Sequence, residues 1–243
     1  MTIESTLSWH EPTGLTARGT LVVLPGRGEQ PGLYERFGRR LAADAYQVHV
    51  VGDASPDPEA TGERVRSLLA VPDLPRPSVL VGSDTGALLA LRLVALGGVA
   101  VEALVLAGLP VPGAGASVAA ESEAETRASC PTHQNLLRTK GLFHSGRLTD
   151  QHIPALLRDR VDPAAVTVPV LGLHGDNDVV SPLQQVESDY AALPHAHLVA
   201  VSDGRHDVLN AANHRSVAAR IVLFLEQLRA GSGPSPILVE RAA

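Results

Sequence analysis

Five residues, Gly82-Ser83-Asp84-Thr85-Gly86, constrain this chain more than any others. They follow the apolar run Ser78-Val79-Leu80-Val81 and open an apolar stretch over residues 87–96. The run reads as a buried strand and the stretch as a helix. A strand that enters a helix through such a segment has to turn sharply. Glycines two residues either side of the centre remove the Cβ atoms that would keep the helix away from the strand. Only the central side chain then stands up from the turn, where a nucleophile is often presented. Here it is Asp84. The plain alternative for that aspartate is a helix N-cap.

The rest of the sequence alternates between strand and helix patterns, which predicts an α/β fold with a mostly parallel sheet and helices on both faces. Strands are expected over residues 20–24, 47–51, 78–81, 101–107, 168–173 and 197–201. Residues 6–9 and 15–18 are expected as antiparallel edge strands. Helices are expected over residues 33–44, 61–70, 87–96 and 183–193. A last helix carries Val217, Ile221, Phe224, Leu225 and Leu228 on one apolar face. Between residues 111 and 165 the alternation breaks into Gly, Ala, Ser and Glu followed by short amphipathic stretches. The expected division is a core of residues 1–110 and 166–230, a small cap insertion over 111–165 and a C-terminal tail over 231–243.

A chain of 243 residues with 44% hydrophobic residues fits one such domain with a sizeable core. The net charge of −6, with no long run of one sign, argues against a nucleic-acid partner. No apolar window approaches about 18 residues, so no membrane span is expected. The first residues lack the basic and apolar regions of a signal peptide. The single cysteine, Cys130, excludes an internal disulfide and a cysteine-cluster metal site, and suits a cytoplasmic protein. Histidines and carboxylates do not fall at metal-ligand spacings, so neither metal nor cofactor is implied. A small-molecule substrate is the expected partner; the sequence is silent on oligomeric state.

Two later loops offer partners for Asp84. His174-Gly175-Asp176-Asn177-Asp178-Val179-Val180-Ser181-Pro182 follows one predicted strand, and Gly204-Arg205-His206-Asp207-Val208-Leu209-Asn210 lies just after the next. Both lie beyond carboxyl ends of parallel strands, where open α/β sheets place their sites. Together with Pro25-Gly26-Arg27-Gly28-Glu29, Tyr34 and the elbow, these stretches resemble the α/β-hydrolases of the monoglyceride lipase/lysophospholipase type. The resemblance implies an α/β-hydrolase fold and a triad in the order nucleophile, acid, histidine. The acid is then Asp178, four residues before Pro182, with Asp176 as the rival, and the histidine is His206. Backbone N–H groups of Arg27 and Thr85 would form the oxyanion hole. Pro25 departs from the family pattern, which has histidine there. Nothing in residues 111–165 resembles a known cap, although Cys130 and His133 are candidates to face the substrate, with packing as their other role. The Arg27 side chain is a candidate grip for an anionic substrate group.

Aspartate at the elbow, where esterases carry serine, leaves the reaction open. Asp84 could attack sp³ carbon or open an epoxide to give an ester that His206-activated water then hydrolyses. Haloalkane dehalogenases and epoxide hydrolases resemble this elbow. The former follow the aspartate with tryptophan, where this chain has Thr85. The latter use cap tyrosines, whereas Tyr34, Tyr46 and Tyr190 lie outside residues 111–165. Ester or lactone cleavage is also open. So is a cofactor-free elimination, cyclisation or isomerisation with Asp84 and His206 as acid and base. A retired, ligand-binding relative of these enzymes is the non-enzymatic alternative.

Overall fold

The computed structural model describes residues 6–111, 113, 118–139, 141–231 and 237–238. Seven strands form one sheet: β1 Leu7–Trp9, β2 Gly19–Leu24, β3 Tyr46–Val50, β4 Ser78–Ser83, β5 Ala103–Ala107, β6 Val170–Gly175 and β7 Ala196–Val201. Their order is β1-β3-β2-β4-β5-β6-β7, with β1 antiparallel to β3 and every other pairing parallel. Strands β2, β4 and β5 are buried along their whole length, which is why they read as continuous Val/Leu runs instead of alternating ones.

Helices cover both faces. On one face α1 Glu35–Ala43 and α8 His214–Arg229 bury Phe37, Leu41, Val217, Ile221 and Phe224 against alternate residues of the sheet. On the other, α2 Pro58–Leu69, α3 Thr85–Ala95 and α7 Leu183–Ala191 bury Val65, Leu89, Leu93, Val186 and Tyr190. Between β5 and β6 lie the short helices α4 Glu123–Arg127, α5 Pro131–Leu137 and α6 Ala155–Arg158, all within the segment expected as a cap. Of the expected tail, only residues 231, 237 and 238 are among those described.

Apart from shifts of one or two residues at the ends of other strands and helices, three elements differ from expectation, each for a local reason. Residues 15–18 form no strand: they follow Gly14 at φ 89°, Leu15 is 54% exposed, and the backbone meets its neighbour through one bond, from the Arg18 N–H to the Ala45 carbonyl. The stretch starting at residue 33 begins instead as a 3₁₀ turn, Pro31–Tyr34, and becomes α-helical at Glu35. Helix α2 starts earlier than its apolar pattern indicates, because the Asp57 carboxylate accepts the Ala60 N–H at 2.9 Å and Pro58 occupies the first turn.

Candidate active site

The elbow connects β4 to α3. Asp84 sits at φ 50° and ψ −122°, outside the regions open to most L-residues. Such a residue costs about 1–3 kcal/mol and has to be held by its surroundings. The Asp84 N–H donates to the Ala107 carbonyl of β5 at 3.0 Å, which fixes the turn to the sheet. The N-cap alternative is not adopted, since the Asp84 side chain makes no capping bond to α3. It points to Arg27 and His206.

The His206 imidazole lies between two carboxylates. Nδ1 is 2.8 Å from Asp178 Oδ2, and Nε2 is 3.2 Å from Asp84 Oδ1. The other Asp178 oxygen accepts the N–H groups of Val180 and Ser181 at 2.8 and 3.0 Å, so the loop after β6 fixes the carboxylate. His174 Nε2 is also 3.1 Å from Asp178 Oδ2. Asp176, the rival acid, is exposed. The structure therefore brings Asp84, His206 and Asp178 together and leaves Asp176 in solvent.

Arg27 does more than its backbone position required. Its N–H donates to Asp84 Oδ2 at 2.9 Å, as an oxyanion donor in the first loop, residues 25–30 after β2, would. Its guanidinium then grips the same carboxylate, Nε to Oδ2 and Nη2 to Oδ1, both at 2.8 Å, while Nη1 reaches the Thr149 carbonyl at 2.7 Å. Asp84 thus has a partner at every approach, and Arg27, Asp84 and His206 are each 1% exposed. The N–H of Thr85, the first residue of α3, is one of the helix's leading donors without an intrahelical acceptor.

Charges in this cluster are interdependent. Burial alone would raise the Asp84 carboxyl, but the Arg27 charge and the His206 contact outweigh it and hold Asp84 well below the usual carboxylate range. Burial would likewise depress His206, yet the flanking Asp178 and Asp84 carboxylates raise it to about 9. His206 is therefore an imidazolium at neutral pH. In Asp84→Asn one of the two supporting charges is gone, and the imidazole is expected to titrate clearly lower than in the wild type. NMR titration of the His206 ring checks this; an unchanged midpoint would mean that Asp84 does not set its protonation.

A second buried ionic cluster borders the first and was not anticipated from the sequence. Arg127, at the end of α4, donates to Glu29 Oε1 at 3.0 Å, to Glu123 Oε1 at 3.0–3.1 Å and to the Arg27 carbonyl at 2.7 Å. Its own carbonyl accepts the Asp207 N–H at 2.7 Å. Glu29 in turn accepts the Gly26 N–H at 3.0 Å and the Tyr34 hydroxyl at 2.5 Å, which shapes the first loop. His133 Nε2 lies 2.9 Å from Asp207 Oδ2, and Cys130 Sγ is 3.5 Å from Arg36 Nη1. Both are buried among these partners, and neither lines the cleft of about 350 Å³ that opens beside the first loop. Among the described residues no group of His, Cys, Asp and Glu has the arrangement of a metal site, and no helix is long and apolar enough to cross a membrane.

The strand order, the elbow at the end of β4 and the triad-like loops after β6 and β7 define the α/β-hydrolase fold. Monoglyceride lipases are among the solved structures that share it, as the sequence motifs implied. The monoacylglycerol lipase of Paleococcus ferrophilus superposes with a TM-score of 0.73 at 16% identity over 91% of this chain and 97% of that one. A soluble variant of the Saccharomyces cerevisiae monoglyceride lipase gives 0.70 at 13% identity, covering 91% of each chain. An esterase from Exiguobacterium antarcticum gives 0.71 at 18%, over 91% of this chain and 94% of that one. At such identities the likeness is one of fold. No protein-family model matches the chain. No curated protein matches it in sequence either.

Proposed function

We propose that the chain is a cofactor-independent hydrolase that opens a small strained ring, an epoxide or lactone, through an ester on Asp84. One observation carries this reading. Asp84 Oδ2 lies on the backbone N–H of Arg27, the oxyanion position, while Oδ1 faces His206. A carboxylate so divided has one oxygen to attack with and one already seated where charge will develop later.

The resting proton on His206 suits an epoxide. Oδ1 forms a bond to the ring carbon, the ring C–O bond breaks, and the opened oxygen takes the proton from His206 Nε2. The product is a neutral ester at Asp84 and a neutral imidazole. Loss of the Asp84 charge removes one of the groups that raised His206, so the ring is now a base. It takes a proton from water as the hydroxide adds to the Asp84 carbonyl. The negative charge then falls on the oxygen held by the Arg27 N–H. Collapse releases the diol, protonated by His206, and the aspartic acid returns its proton to the imidazole. Asp178 keeps the ring oriented through Nδ1. Direct ester cleavage with His206 as base has less support, because the resting imidazole is already protonated. An elimination or isomerisation with Asp84 as base is disfavoured by the low proton affinity of that carboxylate.

One observation favours the ligand-binding alternative: the Asp84 carboxylate is fully satisfied and almost fully buried. Solvent isotope separates the two. With glycidate, glycidol and a β-lactone in H₂¹⁸O, repeated turnover is expected to place ¹⁸O in the Asp84 carboxylate, read by mass spectrometry of the peptide. Direct attack of water on the substrate would label the product and leave Asp84 unlabelled. Absence of both turnover and label would favour the retired site.

A further inference from the structure

We infer that the substrate of this site is a small carboxylate, with its reactive carbon one or two bonds from the acid group, and that Arg27 exchanges Asp84 for that carboxylate when the substrate binds. The chemistry at Asp84 rests on the ester reading above; the anion site does not.

The argument starts from what the guanidinium does at rest. Its Nε and Nη2 hold both Asp84 oxygens at 2.8 Å, so Oδ1 is not free to attack until that fork moves. Arg27 and Asp84 are each 1% exposed. A guanidinium that let go of Asp84 for a neutral molecule would remain buried with no counter-charge, which is strongly unfavourable. An anionic group removes that penalty by taking the vacated edge, and a carboxylate matches the fork with two parallel bonds. Binding and activation then become one event: the anion takes Arg27, and Oδ1 loses the donor that held it. Because Oδ1 and Nη2 are in contact at rest, the carbon attacked has to lie close to the anionic group.

The surroundings fit such a ligand. The cleft of about 350 Å³ beside the first loop is the size for a short acid; it is lined by Gly28, the chain neighbour of Arg27, with His144, Arg147 and His152, and stops short of Arg27 and Asp84, which do not line it. Thr149 joins the two places: its carbonyl holds Arg27 Nη1, and its hydroxyl lies 2.7 Å from His152 Nδ1. One carboxylate opposes an anion there, that of Asp53, and it accepts the N–H of Gly28 and both the N–H and hydroxyl of Ser55.

Calorimetry with propionate, propionamide and inorganic phosphate tests the site without any turnover. In Asp84→Asn the competing carboxylate is gone, and propionate is expected to bind at least 10-fold more tightly than to the wild type. Propionamide should not gain, and Arg27→Gln added to Asp84→Asn should abolish the gain. Asp84→Ser serves in place of Asp84→Asn if near-UV circular dichroism reports the latter misfolded. Propionate bound no more tightly by either variant than by the wild type overturns the inference. So does phosphate bound as tightly as propionate, which would make this a general anion site. The isotope experiment adds the chemical arm: glycidate should label Asp84 at least 10-fold faster than the neutral glycidol. Equal labelling by the two overturns the carboxylate requirement while the ester mechanism stands. No labelling, with propionate bound by Asp84→Asn as expected, overturns the ester mechanism while the anion site stands.

Discussion

Gly86→Ala is expected to prevent folding, whereas Gly97→Ala should cost little. A Cβ on Gly86 would lie 2.0 Å from the Leu24 carbonyl oxygen and 2.7 Å from that of Pro25, both rigid backbone of β2 and the loop that follows it. Neither atom can withdraw without shifting the end of β2 and the loop that carries Arg27. A cost above about 4 kcal/mol puts this change among the few severe single substitutions. Gly97 has φ 67° but open space around it. Alanine there pays only the left-handed backbone cost of about 1–2 kcal/mol. Urea unfolding followed by circular dichroism compares the two. If Gly86→Ala unfolded within 1 kcal/mol of Gly97→Ala, α3 would not be pressed against β2 as described.

The same contact explains what could be read from the sequence. A turn between a buried strand and a helix leaves so little room that its glycines fall at fixed offsets, and Gly82 and Gly86 could be read as an elbow without coordinates. The later loops follow the buried strand β6 and the half-buried edge strand β7, and the spacing of Asp178 and His206 after them pointed to positions that the structure brings within reach of each other. Element starts were less legible. The start of α2 is set by a cap and a proline, which carry no apolar periodicity, and that of α1 was hidden because the spacing of Leu33, Phe37 and Leu41 runs on through the 3₁₀ turn.

The Arg127 cluster left no sequence signal at all. Glu29, Glu123 and Arg127 are charged residues of the kind normally found in solvent. They are buried because the first loop and α4, far apart in sequence, converge on one guanidinium. The Arg27 side chain is a related case. Its position in the first loop marked its N–H, but only the folded chain sets its guanidinium against Asp84. The sequence shows an aspartate in place of serine; the structure adds that a buried cation accompanies the new charge.

Arg127→Leu is expected to destabilise the protein by about 3–5 kcal/mol, the usual result of removing one partner from a buried ionic group. Arg127 is 0% exposed, and its loss leaves Glu29 and Glu123, each 1% exposed, without their shared counter-charge. The effect should depend on pH in a definite sense. Burial, then the nearby Asp207 charge, raises Glu29 to about 7 against the pull of Arg127. Between its ordinary value of 4.5 and about 7, folded Glu29 holds a proton that the unfolded chain has released. Its contribution to stability is therefore fully present below 4.5 and lost as pH rises through about 7. Without Arg127 the carboxyl is raised further, so the loss continues to higher pH. The gap between variant and wild type should thus be wide at pH 8 and narrower at pH 5, as measured by chemical denaturation. Adding Glu29→Gln should recover part of the stability at pH 8, since the amide removes the charge yet can still accept from Gly26 or Tyr34. A gap equal at the two pH values would mean that Arg127 acts through packing on Phe143, 4.9 Å from its guanidinium carbon, and not through charge. If charge governs, the first loop that carries Arg27 is held by an ion pair reaching from α4, and the geometry of the Asp84 site depends on a residue that meets it through the Arg27 carbonyl.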